Sequence, residues 1–393
     1  MVETRDIINT GLRGVTVAST RISNVDGEAG KLIYRGYPIQ DLAENATFEE
    51  IVHLLLYEKL PTKRELESLQ QGLIEERTVP QEIIEALKTR PRDSQPMDIL
   101  QAAPPMLANH DPEARTLTEE NARDIGLKLI AKFPTLVAAW QRLRHDRAPV
   151  DPDPELGHAA NFLYMLTGTR PDEEIARFLD ICLILHADHT FNASTFAARE
   201  VCSTRAHMYS AVAAAVGSLS GELHGGANAR VMQTLLDIGS PEAVEGYVTR
   251  LLDQGGKIMG LGHAVYKTMD PRARILDPIS RRLGERINDS TWYQVSKKLE
   301  EKGREAFQKR KGKDIYPNVD FFSASVYHCL GIPIDLFTPV FAISRVSGWA
   351  AHVIEEQYAE AAPKPVLYRP SAEYVGEYCG PEECAFVPMD QRK

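Results

Sequence analysis

Four histidines stand where a catalyst would need them. His186 and His189 fall in LHADHTFNAS, His224 in GELHGGAN and His263 in GLGHAVYK, each at an expected helix end or in a loop. Taken alone, a histidine in such a place is a cap or packing residue more often than a catalyst. Gly225 and Gly226 after His224, and Gly260 and Gly262 before His263, shift that balance, because glycine permits unusual backbone angles and close approach of a ligand. His186 and His189, with Asp188 between them, also have the i, i+3 spacing of a metal-binding pair. No HExxH is present and no third ligand is evident.

One carboxylate and several cations complete the candidates. Asp320, in YPNVDFFSASVYHCLG, is expected to be the N-cap of a helix ending at Gly331, with a general base as the other reading. In MDPRARIL, Asp270 reads as N-cap and Pro271 as the first helical residue, which sets Arg272 against the helix dipole. Either an anionic ligand compensates Arg272 or the side chain is solvated. Arg345 lies four residues after Phe341 and four before Trp349, on an apolar stripe. A guanidinium there is costly unless paired with a carboxylate or phosphate, so it requires a partner that a substrate could supply. Arg369, in LYRPS, reads as a surface residue of an irregular tail. The segment GGKIMGLG (255–262) has neither P-loop nor dinucleotide spacing. With Lys267, Arg310, Lys311 and Lys313 it could bind phosphate, although a solvated loop is the plainer reading.

These residues must be positioned by a chain of 393 residues with 45 basic and 55 acidic side chains, a net charge of −10. The length suits one large domain or a large and a smaller one, and the charge disfavours broad nucleic-acid or anionic-membrane contact. The N-terminus shows no charged-then-apolar signal pattern, and the longest apolar run, near 178–185, is too short to span a bilayer; a cytoplasmic protein is expected. The five cysteines read as reduced thiols, with a local disulfide between Cys379 and Cys384 as the minor alternative. Strand signals are confined to the first fifty residues: VTVASTRIS, the turn-prone VDGEAG, then KLIYRGYPI. Thereafter the pattern is helical, with a capping box at Thr47 and Glu50 and a segment, 174–187, apolar nearly all round and therefore central. From about 227 to 335 the chain becomes more charged, which suggests a smaller, more exposed domain, before apolar helix returns at FTPVFAISRVSGWAAHVIEEQ.

The motifs LHGGAN around His224, GLGHAVYKTMDPRA at 260–273, YPNVDFFSA around Asp320, FAISRVSGW around Arg345 and RPSAEYVG at 369–376 occur in the order and spacing of citrate synthases. NVDGEAGKLIYRGYPI (24–39), AANFLYMLTG (159–168) and HADHTFNASTFAAR (186–199) extend the match over nearly the whole chain. The sequence thus resembles the citrate synthase family, of the short bacterial or archaeal type and close in kind to 2-methylcitrate synthases. The resemblance implies an all-α, two-domain helical fold with a small β region at the N-terminus. Residues 1–226 and 336–393 would form a large domain, and 227–335 a small domain that closes over the substrate.

It further implies condensation of acetyl-CoA with oxaloacetate and water to give citrate and CoA, the entry step of the tricarboxylic acid cycle. The alternatives are 2-methylcitrate synthesis from propionyl-CoA and a catalytically silent CoA-binding relative. By resemblance, Asp320 takes a methyl proton, His224 hydrogen-bonds the thioester oxygen and His263 polarises the ketone. His189, Arg272, Arg345 and Arg369 would hold oxaloacetate, Arg369 doing so in the partner's site of a homodimer. Lys257, Ile258, Met259, Gly260, Leu261, Lys267, Lys311 and Lys313 would contact CoA. No metal or other cofactor is implied. Two positions depart from many relatives: Ala264 stands in place of an arginine, and Gln95 in place of the histidine of a His-Pro-Met triplet. The first bears on a CoA contact, the second on a loop near the substrate.

Overall fold

The computed structural model describes residues 10–12, 14–375 and 388–392; Cys379 and Cys384, with any pairing between them, lie outside the described residues. Cys182, Cys202 and Cys329 are free thiols. The β region is smaller than the sequence suggests. Strands β1 (Ser23–Asp26), β2 (Lys31–Tyr34) and β3 (Tyr37–Pro38) form an antiparallel sheet in the order β1-β2-β3, with Ser23 opposite Tyr34 and Asp26 opposite Lys31. Residues 15–20 of the strand-like VTVASTRIS are not paired, because the register of β2 is used up by 23–26.

Sixteen α-helices follow among the described residues. The first ten are α1 (Ile39–Asn45), α2 (Phe48–Tyr57), α3 (Lys63–Glu76), α4 (Gln81–Lys88), α5 (Pro96–Ala108), α6 (Glu119–Leu143), α7 (His158–Thr167), α8 (Glu173–His186), α9 (Ala193–Ser203) and α10 (Met208–Ser220). The remainder are α11 (Ala227–Ile238), α12 (Val244–Asp253), α13 (Pro271–Arg286), α14 (Thr291–Lys311), α15 (Val319–Cys329) and α16 (Phe337–Tyr358). The expected capping box starts α2: Thr47 Oγ1 accepts from the Glu50 N–H, and the Thr47 N–H donates to Glu50 Oε2 at 2.7 Å. A second, at Thr62 and Glu65, starts α3.

Two helices organise the core. Segment α8 is buried from Phe178 to His186 except at Ile181, as its nearly continuous apolar character requires. Helix α16 is buried from Phe337 to Glu356 and packs against α2, α6, α8, α9 and α10. Each fully enclosed aliphatic or aromatic side chain contributes about 1.5–3 kcal/mol, so α16 is anchored firmly enough to carry a buried polar face of Arg345, His352, Glu355 and Glu356. Helices α11 to α15 pack largely on one another, with α13 and α15 touching α8 and α11 touching α16. The composition break at 227 coincides with the first residue of α11. No helix among the described residues is long and apolar enough to cross a membrane.

Candidate active site

The site is assembled where chain ends of buried helices meet three loops. His186 is the last residue of α8, and the loop beyond it carries His189, whose Nε2 lies 3.3 Å from the Tyr266 hydroxyl. The rings of His189 and His263 are 5.4 Å apart, and those of His263 and Tyr266 4.7 Å. The His263 loop is stitched to the segment leading into α15. Gly262 N–H donates to Tyr316 O at 2.8 Å, Asn318 N–H to Gly260 O at 2.9 Å, and the Asn318 amide to Gly262 O at 2.9 Å. That stitching fixes Asp320, in the first turn of α15, relative to His263.

Backbone donors dictate which nitrogen of each imidazole carries the proton. His263 Nδ1 accepts from the N–H groups of Val265 (2.9 Å) and Tyr266 (3.2 Å), which leaves its proton on Nε2. His224 Nε2 accepts from the Ser194 N–H at 3.1 Å and lies 2.8 Å from the Ser194 hydroxyl, so its proton is on Nδ1. Each ring thus has one nitrogen occupied by the protein and one N–H left to donate. Gly225 makes the His224 turn possible: a Cβ there would meet Leu219 O at 2.3 Å.

Electrostatics keep these rings uncharged near neutral pH. Burial, together with Arg345, lowers His224 to about 4; burial, together with Arg272, lowers His263 to about 4. His189 is held well below its ordinary value by burial and then by Arg272, His263 and Arg345. Asp320 moves the other way: burial raises its carboxyl to about 6, aided by Asp270 and opposed by Arg272, Arg345 and Arg230. Arg272 acts on His189, His263 and Asp320, and Arg345 on His189, His224 and Asp320, so each of the four groups lies within the field of at least one of the two buried arginines.

The two buried arginines differ in one decisive respect. Arg272 is clasped by its own helix cap, with Nε donating to Asp270 Oδ1 at 3.0 Å and Nη2 to Asp270 Oδ2 at 2.8 Å. Asp270 also accepts from the Val319 N–H at 3.1 Å, tying α13 to α15. Arg345, only 1% exposed, donates from Nε to His186 O at 2.7 Å and lies over the Phe341 ring at 4.7 Å, but among the described residues no carboxylate forms an ion pair with it. A buried guanidinium without a counter-ion is unfavourable in the empty protein and becomes favourable only when an anion arrives.

Several expectations change. Asp320 is not the N-cap of α15: Asn318 is, its side chain accepting from the Asp320 N–H at 3.0 Å, and this frees the Asp320 carboxyl for the cleft. His186 and His189 do not share a helix face, since α8 stops at His186, and His186 Nδ1 instead bonds Cys182 O at 2.7 Å. No group of three potential ligands is placed to hold a metal among the described residues. Arg272 is neither solvated nor without a partner. The expectation for Arg369 does not change: it is exposed on the tail after α16, as its place in the sequence suggests.

Beside the cleft, a cavity of about 500 Å³ has apolar walls from Leu252, Ile258, Leu261, Phe307 and Ile315, with Lys257, Arg310 and Lys311 on its rim. Met259, Gly260, Lys267 and Lys313 do not line it. Lys267 pairs instead with Glu28 in the β1–β2 turn. Phe307 and Ile315 escape a reading of the sequence that counts cations, yet an aromatic inside KKLEEKGREAFQKRKGK is a signal that could have found the first. Tyr266 is the other site residue that spacing alone does not mark.

Uncharged imidazoles, a buried carboxyl and two buried arginines suit acid–base chemistry on a small anion. The family model "Citrate synthase, C-terminal domain" matches residues 11–371. The chain is 42% identical to the citrate synthase of Haloferax volcanii over 98% of this chain and 99% of that protein, and 45% identical to citrate synthase 2 of Bacillus subtilis over 97% and 98%. Some 2-methylcitrate synthases also match. Its fold is similar to that of the Thermoplasma acidophilum citrate synthase, solved with carboxymethyl coenzyme A and oxaloacetate, with a TM-score of 0.90, 35% identity, and 98% and 100% of the two chains covered. The chain belongs to the citrate synthase family and is an acyltransferase.

Proposed function

We propose that the cleft condenses acetyl-CoA with oxaloacetate and water to give citrate and CoA. The observation that carries this reading is Arg345, a buried cation with no carboxylate ion pair among the described residues, whose field reaches neutral imidazoles with N–H groups set by backbone donors. Arg345, Arg272 and His189 hold the two carboxylates of oxaloacetate, and the partner's Arg369 completes the set in a homodimer. Asp320 removes a proton from the acetyl methyl group while the His224 Nδ1–H hydrogen-bonds the thioester oxygen, so the developing enol is stabilised as it forms. Its carbon attacks the keto carbon, and His263 Nε2–H gives its proton to the ketone oxygen, which becomes the hydroxyl. The proton that Asp320 took from the methyl group is then released to solvent and His263 takes one back, restoring both groups. Water then cleaves the citryl thioester, releasing citrate and the CoA thiol.

CoA enters the 500 Å³ cavity, with Lys257 and Lys311 at its phosphates. Acid–base steps account for every bond made and broken, so neither a metal nor a redox cofactor takes part. Closure of 227–335 as a small domain over oxaloacetate excludes water until condensation is complete. We read the enzyme as a cytoplasmic homodimer serving the entry step of the tricarboxylic acid cycle.

The test follows thiol release from acetyl-CoA or propionyl-CoA with oxaloacetate across pH. Faster turnover of acetyl-CoA is expected. Because Asp320 must be ionised to act and titrates near 6, kcat should be flat above that value and fall about tenfold per pH unit below it. No thiol release defeats the reading. A strong preference for propionyl-CoA transfers it to 2-methylcitrate synthesis, and a flat profile from pH 7 to 5 removes Asp320 as the base.

A further inference from the structure

Asp188 lies between the two histidines of HADH and takes no part in the steps above, yet its carboxylate is fully enclosed. One oxygen accepts from the Ser23 hydroxyl and from the Thr190 N–H at 3.0 Å; the other lies 3.2 Å from His352 Nε2. Its backbone is pinned as well, with the Tyr34 hydroxyl donating to Asp188 O at 2.9 Å. Helix α16 can come this close only because residue 348 is glycine: a Cβ there would meet Ala187 O at 2.3 Å and Asp188 Oδ1 at 2.7 Å.

The chain of contacts continues inward. His352 Nδ1 is 3.0 Å from Arg199 Nη1, and a guanidinium only donates, so Nδ1 is the acceptor and the ring proton sits on Nε2, 3.2 Å from Asp188 Oδ1 in an electrostatic contact that is not aligned as a hydrogen bond. Arg199 is held by Glu355 Oε2 at 2.7 Å and Glu356 Oε2 at 2.7 Å, and Glu355 accepts from the Arg21 N–H at 2.7 Å. Glu356 also accepts from the Tyr368 hydroxyl at 2.9 Å, the residue before Arg369. At the outer end, Thr190 has φ 50, a left-handed backbone that a β-branched residue rarely adopts. Such a conformation persists only where its surroundings over-determine it, and it adjoins His189.

We infer that Asp188, His352 and Arg199 are positioning residues that lock the His189 loop in the conformation that meets the substrate carboxylate. The inference rests on reading the cleft as an oxaloacetate site. The three side chains act through His189 and do not touch substrate. A purely structural cluster would lower stability when broken; a positioning chain also changes affinity for one substrate and not the other.

His352→Phe removes both ring nitrogens, whereas His352→Gln keeps an N–H at the end facing Asp188. With His352→Phe, KM for oxaloacetate should rise about tenfold or more while KM for acetyl-CoA stays within about twofold, and His352→Gln should recover most of the loss. Leu69→Ala in α3, remote from the chain, should lower Tm and leave both KM values unchanged. If His352→Phe does not fold, Ser23→Ala carries the same test through the opposite side of Asp188, with the same selective rise expected. Unchanged oxaloacetate KM in the variant, no advantage of Gln over Phe, or an equal rise in Leu69→Ala overturns the inference. Wild-type enzyme that releases no thiol with oxaloacetate defeats the reading of the cleft instead, so the two failures are distinct.

Discussion

Asp320→Asn is expected to lower kcat by roughly 10²–10⁴-fold while oxaloacetate binds as in the wild type. The carboxyl is not a cap, so its replacement by an isosteric amide leaves the start of α15 in place: Asn318 still accepts from the residue-320 N–H, and Asp270 still accepts from Val319. What is lost is the carboxyl whose pKa burial raises toward neutrality. An amide cannot take the methyl proton, and the imidazoles cannot replace it, because each presents an N–H and not a lone pair to the cleft. Stopped-flow mixing of enzyme, oxaloacetate and acetyl-CoA gives the comparison. A kcat within tenfold of wild type would remove Asp320 from the mechanism.

Arg345→Met should raise KM for oxaloacetate by roughly 10²–10³-fold, the loss typical when one member of a buried, hydrogen-bonded charge pair is removed, with Tm unchanged or higher. The two halves of this prediction have the same cause. Without substrate the guanidinium is buried with no carboxylate ion pair among the described residues, a cost that methionine abolishes while filling similar space. In the substrate complex that same charge is what holds the dicarboxylate. Arg345 also pulls the Asp320 pKa down, so its loss should move the acid limb of the pH profile above about 6. A large fall in Tm with little change in KM would make Arg345 a structural residue. Arg272 is expected to behave differently, since its removal strands the buried carboxylate of Asp270, the group that joins α13 to α15.

Much of this molecule is legible in its residues, and what is not follows a pattern. The helix α8, the capping box at Thr47 and the cap at Asp270 are set by local sequence: apolar periodicity and short-range hydrogen bonds. The demand of Arg345 for an anion is equally legible, because it needs only the apolar character of its own helix. Asp320 illustrates the limit. An Asp two residues after an Asn offers two equivalent caps to a sequence-based reading, and only the contact of Asn318 with the His263 loop decides between them. The tautomers of His224 and His263 are set by N–H groups 30 residues away and two residues away respectively, so the second was open to local reasoning and the first was not. Lys267 shows the opposite error: a cation next to a glycine-rich loop is drawn to a carboxylate more than 200 residues earlier in the chain, in a turn that no spacing connects to it.

The central claim is that the cleft binds oxaloacetate with its ketone polarised by an imidazole whose proton is placed by the backbone. Infrared difference spectroscopy of oxaloacetate labelled with ¹³C at the keto carbon, bound to the wild type and to His263→Ala, tests it directly. The claim requires the bound C=O stretch of the wild type to lie at lower frequency than in water, and the shift to be largely lost in the variant. A bound ketone with its solution frequency in wild-type enzyme, or the same shift in both proteins, would contradict it.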